Sequence, residues 1–373
     1  MKLTMICEGG YISNNNFNSV LSGVGSNTLL VLSNAQANPV GGLTPIISAA
    51  GSRHLSLQID GTKASESQAI QIINSASGSN TSINISSITS QTTQAVKNIT
   101  QAGANKKLSI GIDCATASQS DVTNAISAAT SRGLSFSVDS LNALTTAGVT
   151  AVFQAAQGKT FTASLDGKNT SGNKLKEVIN AANGSAASLS VVNGSYIPMS
   201  DLLSAITLAG NRSLSLEFNA TLITAQNLKS LAAAATNSTS LIIDIAQGIT
   251  APNLVDIINT SGTKKLSINF SAEQATNIQM QDAVGAGTSG TYISISAAQI
   301  PQLSVMLGMI SSSGHTNLSP NYNGAQLVVT PTDGNWVVRA LQAAQPTTQI
   351  VVSSVGLTNF TLSLILDILS AAG

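Results

Sequence analysis

The sequence predicts an α/β fold: an open solenoid, horseshoe or superhelix, of about 14 strand–helix repeats of about 26 residues, sharing one continuous parallel sheet. Three observations lead there. Short runs with apolar residues at alternate positions recur along the whole chain. Their starts fall 25 to 27 residues apart through the first twelve runs. Between runs the apolar period becomes that of a helix.

Taken in order, the runs are LTMICE from Leu3, LLVLSN from Leu29, LSLQID from Leu55 and TSINIS from Thr81. LSIGID from Leu108, LSFSVD from Leu134, FTASLD from Phe161 and ASLSVV from Ala187 follow. Then come LSLEFN from Leu214, TSLIID from Thr239, LSINFS from Leu266 and TYISIS from Thr291. Two looser runs, AQLVVT from Ala325 and TQIVVS from Thr348, complete the set. In each, the first, third and fifth residues point to the core, as with Leu55, Leu57 and Ile59 or Leu266, Ile268 and Phe270.

Helical spacing separates these strands. Val122, Ala125, Ile126 and Ala129 form one apolar stripe, and Leu175, Val178, Ile179 and Ala182 form another. Asp121 and Asp201 stand where first-turn carboxylates favour the helix dipole, and Gly51, Gly103, Gly210 and Gly262 follow the stripes as stops. About fourteen such units overrun the eight of a TIM barrel, so the even spacing predicts a solenoid that stays open. The chain reads as one repeat domain, 1–373: regular repeats over 1–296, a repeat helix plus an irregular insertion over 297–324, and two looser repeats over 325–373.

The strand core also carries a family pattern. Leu55, Leu57 and Asp60 repeat the spacing of Leu108, Ile110 and Asp113, and of Leu214, Leu216 and Asn219. In this the chain resembles the leucine-rich-repeat family, without the leucine three residues upstream and with an apolar fifth strand position. The resemblance implies a ladder of turn-bonding side chains at the sixth position: Asn34, Asp60, Ser86, Asp113, Asp139, Asp166, Asn219, Asp244 and Ser271.

The second strand position faces away from the core and forms a hydroxyl column: Ser56, Ser82, Ser109, Ser135, Thr162, Ser188, Ser215, Ser240 and Ser267. Aromatic and arginine anchors of the kind that concentrate binding energy are missing from it. Regularity breaks between Thr291 and Ala325, an interval of 34 residues, and His315, Tyr322, Trp336 and Arg339 make that stretch the candidate contact loop.

Composition bounds the function. The chain holds 16 Lys+Arg and 16 Asp+Glu, a formal net charge of +0, and only 9% charged residues. That excludes a basic nucleic-acid face and a disordered polyampholyte, and no apolar stretch is long enough to span a membrane. The first residues lack the apolar core of a standard secretory signal, so the expected location is the cytoplasm, or outside the cell by a signal-independent route. Two histidines far apart in an elongated fold, Cys7 and Cys114 without metal-ligand spacing, and no phosphate-binding loop give no catalytic, metal or cofactor site.

The expected function is structural: self-assembly into a filament, tube or surface layer, with copies of the same chain as partners. Uncapped strand ends would join end to end through Leu3, Met5, Cys7, Ile350, Val352, Leu364 and Leu366, beside uncharged lateral faces. The alternative is a protein-interaction module, such as a secreted bacterial effector that binds a host protein through the solenoid surface.

Overall fold

The computed structural model describes residues 2–373 except 77–79, 89–90, 92, 104–105, 129–133, 300, 302, 324–335 and 356–360. Strand and helix alternate throughout. The first units are β1 (Leu3–Glu8), α1 (Asn14–Ser22), β2 (Thr28–Ser33), α2 (Val40–Ser48), β3 (His54–Asp60), α3 (Glu66–Ser75), β4 (Thr81–Ser86) and α4 (Thr93–Ala102). Next come β5 (Lys107–Asp113), α5 (Gln119–Ala128), β6 (Leu134–Asp139), α6 (Thr146–Ala155), β7 (Thr160–Asp166), α7 (Gly172–Ala181), β8 (Ser188–Val192) and α8 (Met199–Ala209). Then follow β9 (Leu214–Asn219), α9 (Ala225–Ala234), β10 (Thr239–Asp244), α10 (Ala251–Ser261), β11 (Lys265–Ser271) and α11 (Asn277–Ala286). The last are β12 (Thr291–Ser296), α12 (Leu303–Ser312), β13 (Asn317–Asn323), α13 (Trp336–Ala343), β14 (Ile350–Val355) and α14 (Leu362–Ala372).

All fourteen strands are parallel, and the sheet closes: β1 pairs with β14 as well as with β2. The expected open solenoid is therefore corrected to a closed α/β barrel. The physical reason lies in the stagger. Odd-to-even pairs run in register, as with Leu55 and Thr81. Each even-to-odd pair slips by two residues, so that Leu30 meets Leu55, Ile83 meets Leu108 and Phe136 meets Phe161. The slip recurs at Leu189–Leu214, Leu241–Leu266, Ile293–Leu318 and the closing Leu3–Ile350 pair.

Seven slips of two residues over fourteen strands give a tilt of about 35° and a backbone radius of about 13 Å. Helices on a layer about 10 Å further out then sit at packed-helix spacing of about 8–10 Å. Wedge and stagger are satisfied together at this number of units.

The core lies between the sheet and the helices. Leu55, Leu57 and Ile59 of β3 and Leu175, Val178 and Ile179 of α7 are buried in one continuous apolar cluster. Cys7 and Cys114 are buried free thiols, pushed up to about 12, chiefly by desolvation. The second run begins one residue earlier than expected: Thr28, Leu30 and Leu32 face the core, which puts Ser33, not Asn34, in the sixth position. The thirteenth strand also comes earlier. It is Asn317–Asn323, burying Leu318, Pro320 and Tyr322, whereas the run from Ala325 lies outside the described residues.

A longer period emerges from the turns. Asn34, Ser87, Ser140, Asn193, Ile245 and Ala297 have left-handed φ of 49 to 57°, each directly after an even strand. After odd strands the backbone runs on, and Gly9, Gly61 and Ala272 donate to the Ser33, Ser86 and Ser296 carbonyls at 2.7, 2.8 and 3.0 Å. The true unit is thus a strand–helix pair of pairs, and seven of them make the ring.

Candidate functional site: the polar bore and its two mouths

Closure turns the exposed strand face into the wall of a bore. The hydroxyl column predicted for one face (Ser56, Ser82, Ser109, Ser135, Thr162, Ser188, Ser215, Ser240 and Ser267) lines it, half-buried except for the exposed Thr162. Opposite these, the helices close the outside, so the bore opens only at two mouths. The mouth at the strand carboxyl ends carries the sixth-position residues; the other carries the strand amino ends.

Side chains at the carboxyl mouth divide by unit. In odd units they fold back on their own turn: the Asp60 carboxylate accepts from the Thr62 N–H and hydroxyl at 2.9 and 2.7 Å, Asp113 from the Ala115 N–H at 3.0 Å, and Asn219 from Thr221. In even units they bond to a neighbouring strand, backward from Ser86 and Asn34 and forward from Asp139 and Asp244. Ser86 donates to the Ile59 carbonyl at 3.4 Å and Asn34 to the Glu8 carboxylate at 3.1 Å. Asp139 accepts from Ser137 and Ser164, and Asp244 accepts from Asn269 at 2.6 Å.

Ser271 donates its N–H to the Gln247 side chain at 3.3 Å. This last bond belongs to a second ladder, absent from the sequence reading: Gln36, Asn142, Ser195 and Gln247 accept the N–H of Asp60, Asp166, Asn219 and Ser271. Their spacing follows the double repeat.

These bonds set the titration. Hydrogen bonds from Thr62 hold Asp60 below the usual carboxylate range. Burial acts to raise Asp166, but hydrogen bonds from Asn193, the Lys168 N–H and Asn169 outweigh it and hold the carboxyl down. Glu217 moves the other way: desolvation, then the charge and hydrogen bond of Asp244, raise it. The Glu217–Asp244 pair shares its stretch of wall with Val192 and Ile242, apolar where neighbouring strands present Asp166, Glu217 and Ser267.

The amino mouth is held by a basic column. Arg53, Lys106, Lys159, Arg212 and Lys264 stand 52 to 53 residues apart. Lys159 donates to the Ile126 and Ala155 carbonyls at 2.8 and 2.9 Å, and Lys264 to those of Ala232 and Ala233 at 3.0 Å each. Arg212 reaches Ile179 and Leu208, and Lys106 reaches Ala76. Each of these four clamps satisfies orphan carbonyls at helix carboxyl ends and ties one helix to the one before it, whereas Arg53 donates to the Ala50 carbonyl of its own unit at 3.5 Å.

The few charges of this neutral chain are therefore sorted by mouth. Among the described residues the amino mouth holds the four clamps with Arg53, Lys2, Lys107 and Lys265, and no Asp or Glu side chain. The carboxyl mouth holds Glu8, Asp60, Asp113, Asp139, Asp166, Glu217, Asp244 and Glu273, with Glu66, Asp121 and Asp201 in the first helix turns, against Lys63, Lys168, Lys174 and Lys176. Fourteen aligned helices, each with about half a unit charge at its ends, place roughly seven units of opposite sign at the same two mouths. Side chains and helix dipoles thus largely offset one another at long range. Contact pairs at each mouth keep their signs.

The remaining predicted residues disperse. Leu3, Met5, Cys7, Ile350 and Val352 are fully buried in the closing seam, Leu364 is half-buried against the same core, and Leu366 is exposed on α14. The strand edges expected to be free pair with each other. Of the candidate contact loop, His315 is exposed at the amino mouth, Tyr322 is buried in the core, and Trp336 and Arg339 lie on α13.

Sequence reasoning missed a group at the carboxyl mouth. Tyr196, Leu222 and Ile245 are 50%, 50% and 39% exposed in three successive units. Ile245 occupies the left-handed turn position at φ 55°, which costs a β-branched residue about 1–2 kcal/mol. The signal was there: read at the double period, its column is Asn34, Ser87, Ser140, Asn193, Ile245 and Ala297.

Among the described residues no helix is long and apolar enough to cross a membrane. No family model matches the chain, and no curated protein does. Similar solved structures include the leucine-rich repeat-containing protein LegL7 from Legionella pneumophila, at 12% identity over 88% of this chain and 94% of that one, with a TM-score of 0.40. The Rad7 and Elc1 complex in yeast shows 11% identity over 91% and 88%, with a TM-score of 0.45. An aldolase, QR15, matches 56% of this chain and 91% of its own at 13% identity and a TM-score of 0.27. On its own strand spacing and helix layer, the chain is a leucine-rich-repeat-like α/β repeat protein whose repeats close into a ring.

Proposed function

We propose that this ring is a non-catalytic structural module that acts by protein contact, stacking head to tail on copies of itself into a tube. One observation carries the reading: the two mouths present contact charges of opposite sign in a molecule of zero net charge. Mouth-to-mouth stacking of like faces sets carboxylate against carboxylate. Head-to-tail stacking sets Lys2, Lys107 and Lys265 against Asp60, Asp139 and Asp166 and aligns the helix dipoles. Closure removes the strand edges, so association by strand addition is replaced by association through faces.

Sedimentation velocity over a range of concentrations, with negative-stain imaging of the same samples, tests this. The reading expects stacks that lengthen with concentration and shorten in high salt, because exposed contact pairs are screened within about 8 Å at physiological ionic strength. Single rings at every concentration would refute it.

A further inference from the structure

We propose that the arc formed by Tyr196, Leu222 and Ile245 on the carboxyl mouth is the anchor that receives the amino mouth of the next copy, an inference that rests on the stacking reading. Each of the three is a departure from its own column. Where Ile245 stands, other units place Asn34, Ser87, Ser140, Asn193 or the small Ala297 in the same left-handed turn. Where Leu222 stands, three residues after the odd strand, other units place Lys63, Thr116, Asn169 and Gln274, and the first unit places the exposed Tyr11. Where Tyr196 stands, the equivalent turns place Ala37, Ala143 and Gly248. Three departures toward bulk and exposure fall in consecutive units, and one of them is strained.

The occupant follows from charge and shape. Glu217 and Asp244 lie on the adjoining wall, so the arc pairs an apolar ledge with a carboxyl pair and suits a basic face that presents little bulk. The Lys168 ammonium sits 5.2 Å from the centre of the Tyr196 ring and steadies it. The chain's own amino mouth is such a face. Its loops turn on left-handed Gly158, Gly184, Gly210 and Gly262, which add no side chain, and Lys107 and Lys265 are exposed beside them. No large apolar side chain is exposed in the amino-mouth loops among the described residues, whereas Tyr11, Tyr196, Leu222 and Ile245 all project from the carboxyl-mouth loops. The two faces complement each other and neither complements itself, which is the condition for a heterologous contact.

The test is sedimentation velocity and thermal melting of the full chain as wild type, Ile245→Asn and Leu222→Ser. Ile245→Asn restores the residue that its column prefers, so the melting temperature is expected to rise while self-association weakens at least tenfold. Leu222→Ser, on an exposed loop, is expected to weaken association to a similar degree with melting unchanged. Adding Ile245→Asn rings to wild type is expected to shorten stacks, since the variant keeps a normal amino mouth and ends the growing stack. If wild type stacks and both variants stack with wild-type affinity, the arc is not the anchor, although stacking stands. If wild type stays a single ring throughout, both the anchor and the stacking reading are overturned.

Discussion

Ile350 donates its amide hydrogen to the carbonyl of Lys2 at 2.8 Å, joining residues from the two extremes of the chain. Beside that bond Gln349 donates to the Thr4 hydroxyl at 2.8 Å, and the Lys2 and Leu3 amides both donate to the Asn27 carbonyl. The Asn27 side chain in turn donates to the carbonyl of Gly373 at 3.3 Å. One asparagine gathers both chain extremes, and the seam pairs in parallel like the interior strands, with a register shift between Met5 and Cys7.

Breaking that seam is expected to cost as much as breaking any interior pair. Ile350→Pro removes the donor and places a ring against Lys2, with an expected loss of about 3 kcal/mol. Joining residues 2 and 373 by a short Gly/Ser linker and opening the chain at the exposed Thr263 is expected to give a folded ring of near-native melting temperature. Urea titration of both proteins checks this, and a permutant that fails to fold would show that the seam differs in kind.

Clamp removal should weaken the helix layer from its amino-mouth side. Lys159→Met and Arg212→Met keep the apolar stem and delete the donors to Ile126, Ala155, Ile179 and Leu208. Each is expected to cost about 1–3 kcal/mol, the range for hydrogen bonds made by charged groups. Chemical denaturation with an exposed control, Lys63→Met, separates this from a general charge effect.

Two substitutions should stabilise. The even strands β2, β4, β10 and β12 begin with a buried threonine, and Thr239 and Thr291 pair their hydroxyls with those of Thr236 and Thr288 at 3.1 and 3.2 Å. Among the described residues the buried hydroxyls of Thr28 and Thr81 have no hydrogen-bond partner. Replacing them with the isosteric valine relieves an unsatisfied group, and each is expected to gain about 1 kcal/mol. Thr291→Val, which breaks a pair, is expected to lose stability under the same denaturant titration.

Stability should respond to pH with opposite signs at two carboxyls. Asp166 is held low in the fold, so its contribution is present above the unfolded carboxyl range and is lost as pH falls through its folded value. Asp166→Asn is therefore expected to flatten the acid side of a melting-temperature profile. Glu217 is raised, so its contribution is complete below the unfolded range and is lost as pH rises through its folded value. Glu217→Gln is expected to raise the melting temperature near neutral pH and leave it unchanged below the unfolded range.

Much of the architecture was legible from alternation alone. The runs from Leu55, Leu108 and Leu266 place their first, third and fifth residues in the core because a strand with one buried face has no other register. Closure was not legible, because it depends on the two-residue slip at pairs such as Leu30–Leu55, which the loops set and the strand spacing does not reveal. The thirteenth strand escaped because NLSPNYN is polar and interrupted by Pro320, weak as a strand by composition yet alternating in Leu318, Pro320 and Tyr322. At the mouths the sixth position was visible as a column, but its partners at Gln36 and Asn142 needed the double period, whose trace is the alternation of 26 and 27 residues between strands.

The account stands on ring closure, and end-on electron microscopy of the purified protein tests it most directly. The closed barrel predicts a complete annulus of about 13 Å strand radius around a solvent-filled bore, with β1 against β14 at no visible gap. Arcs with an open sector, or particles without a bore, would contradict it.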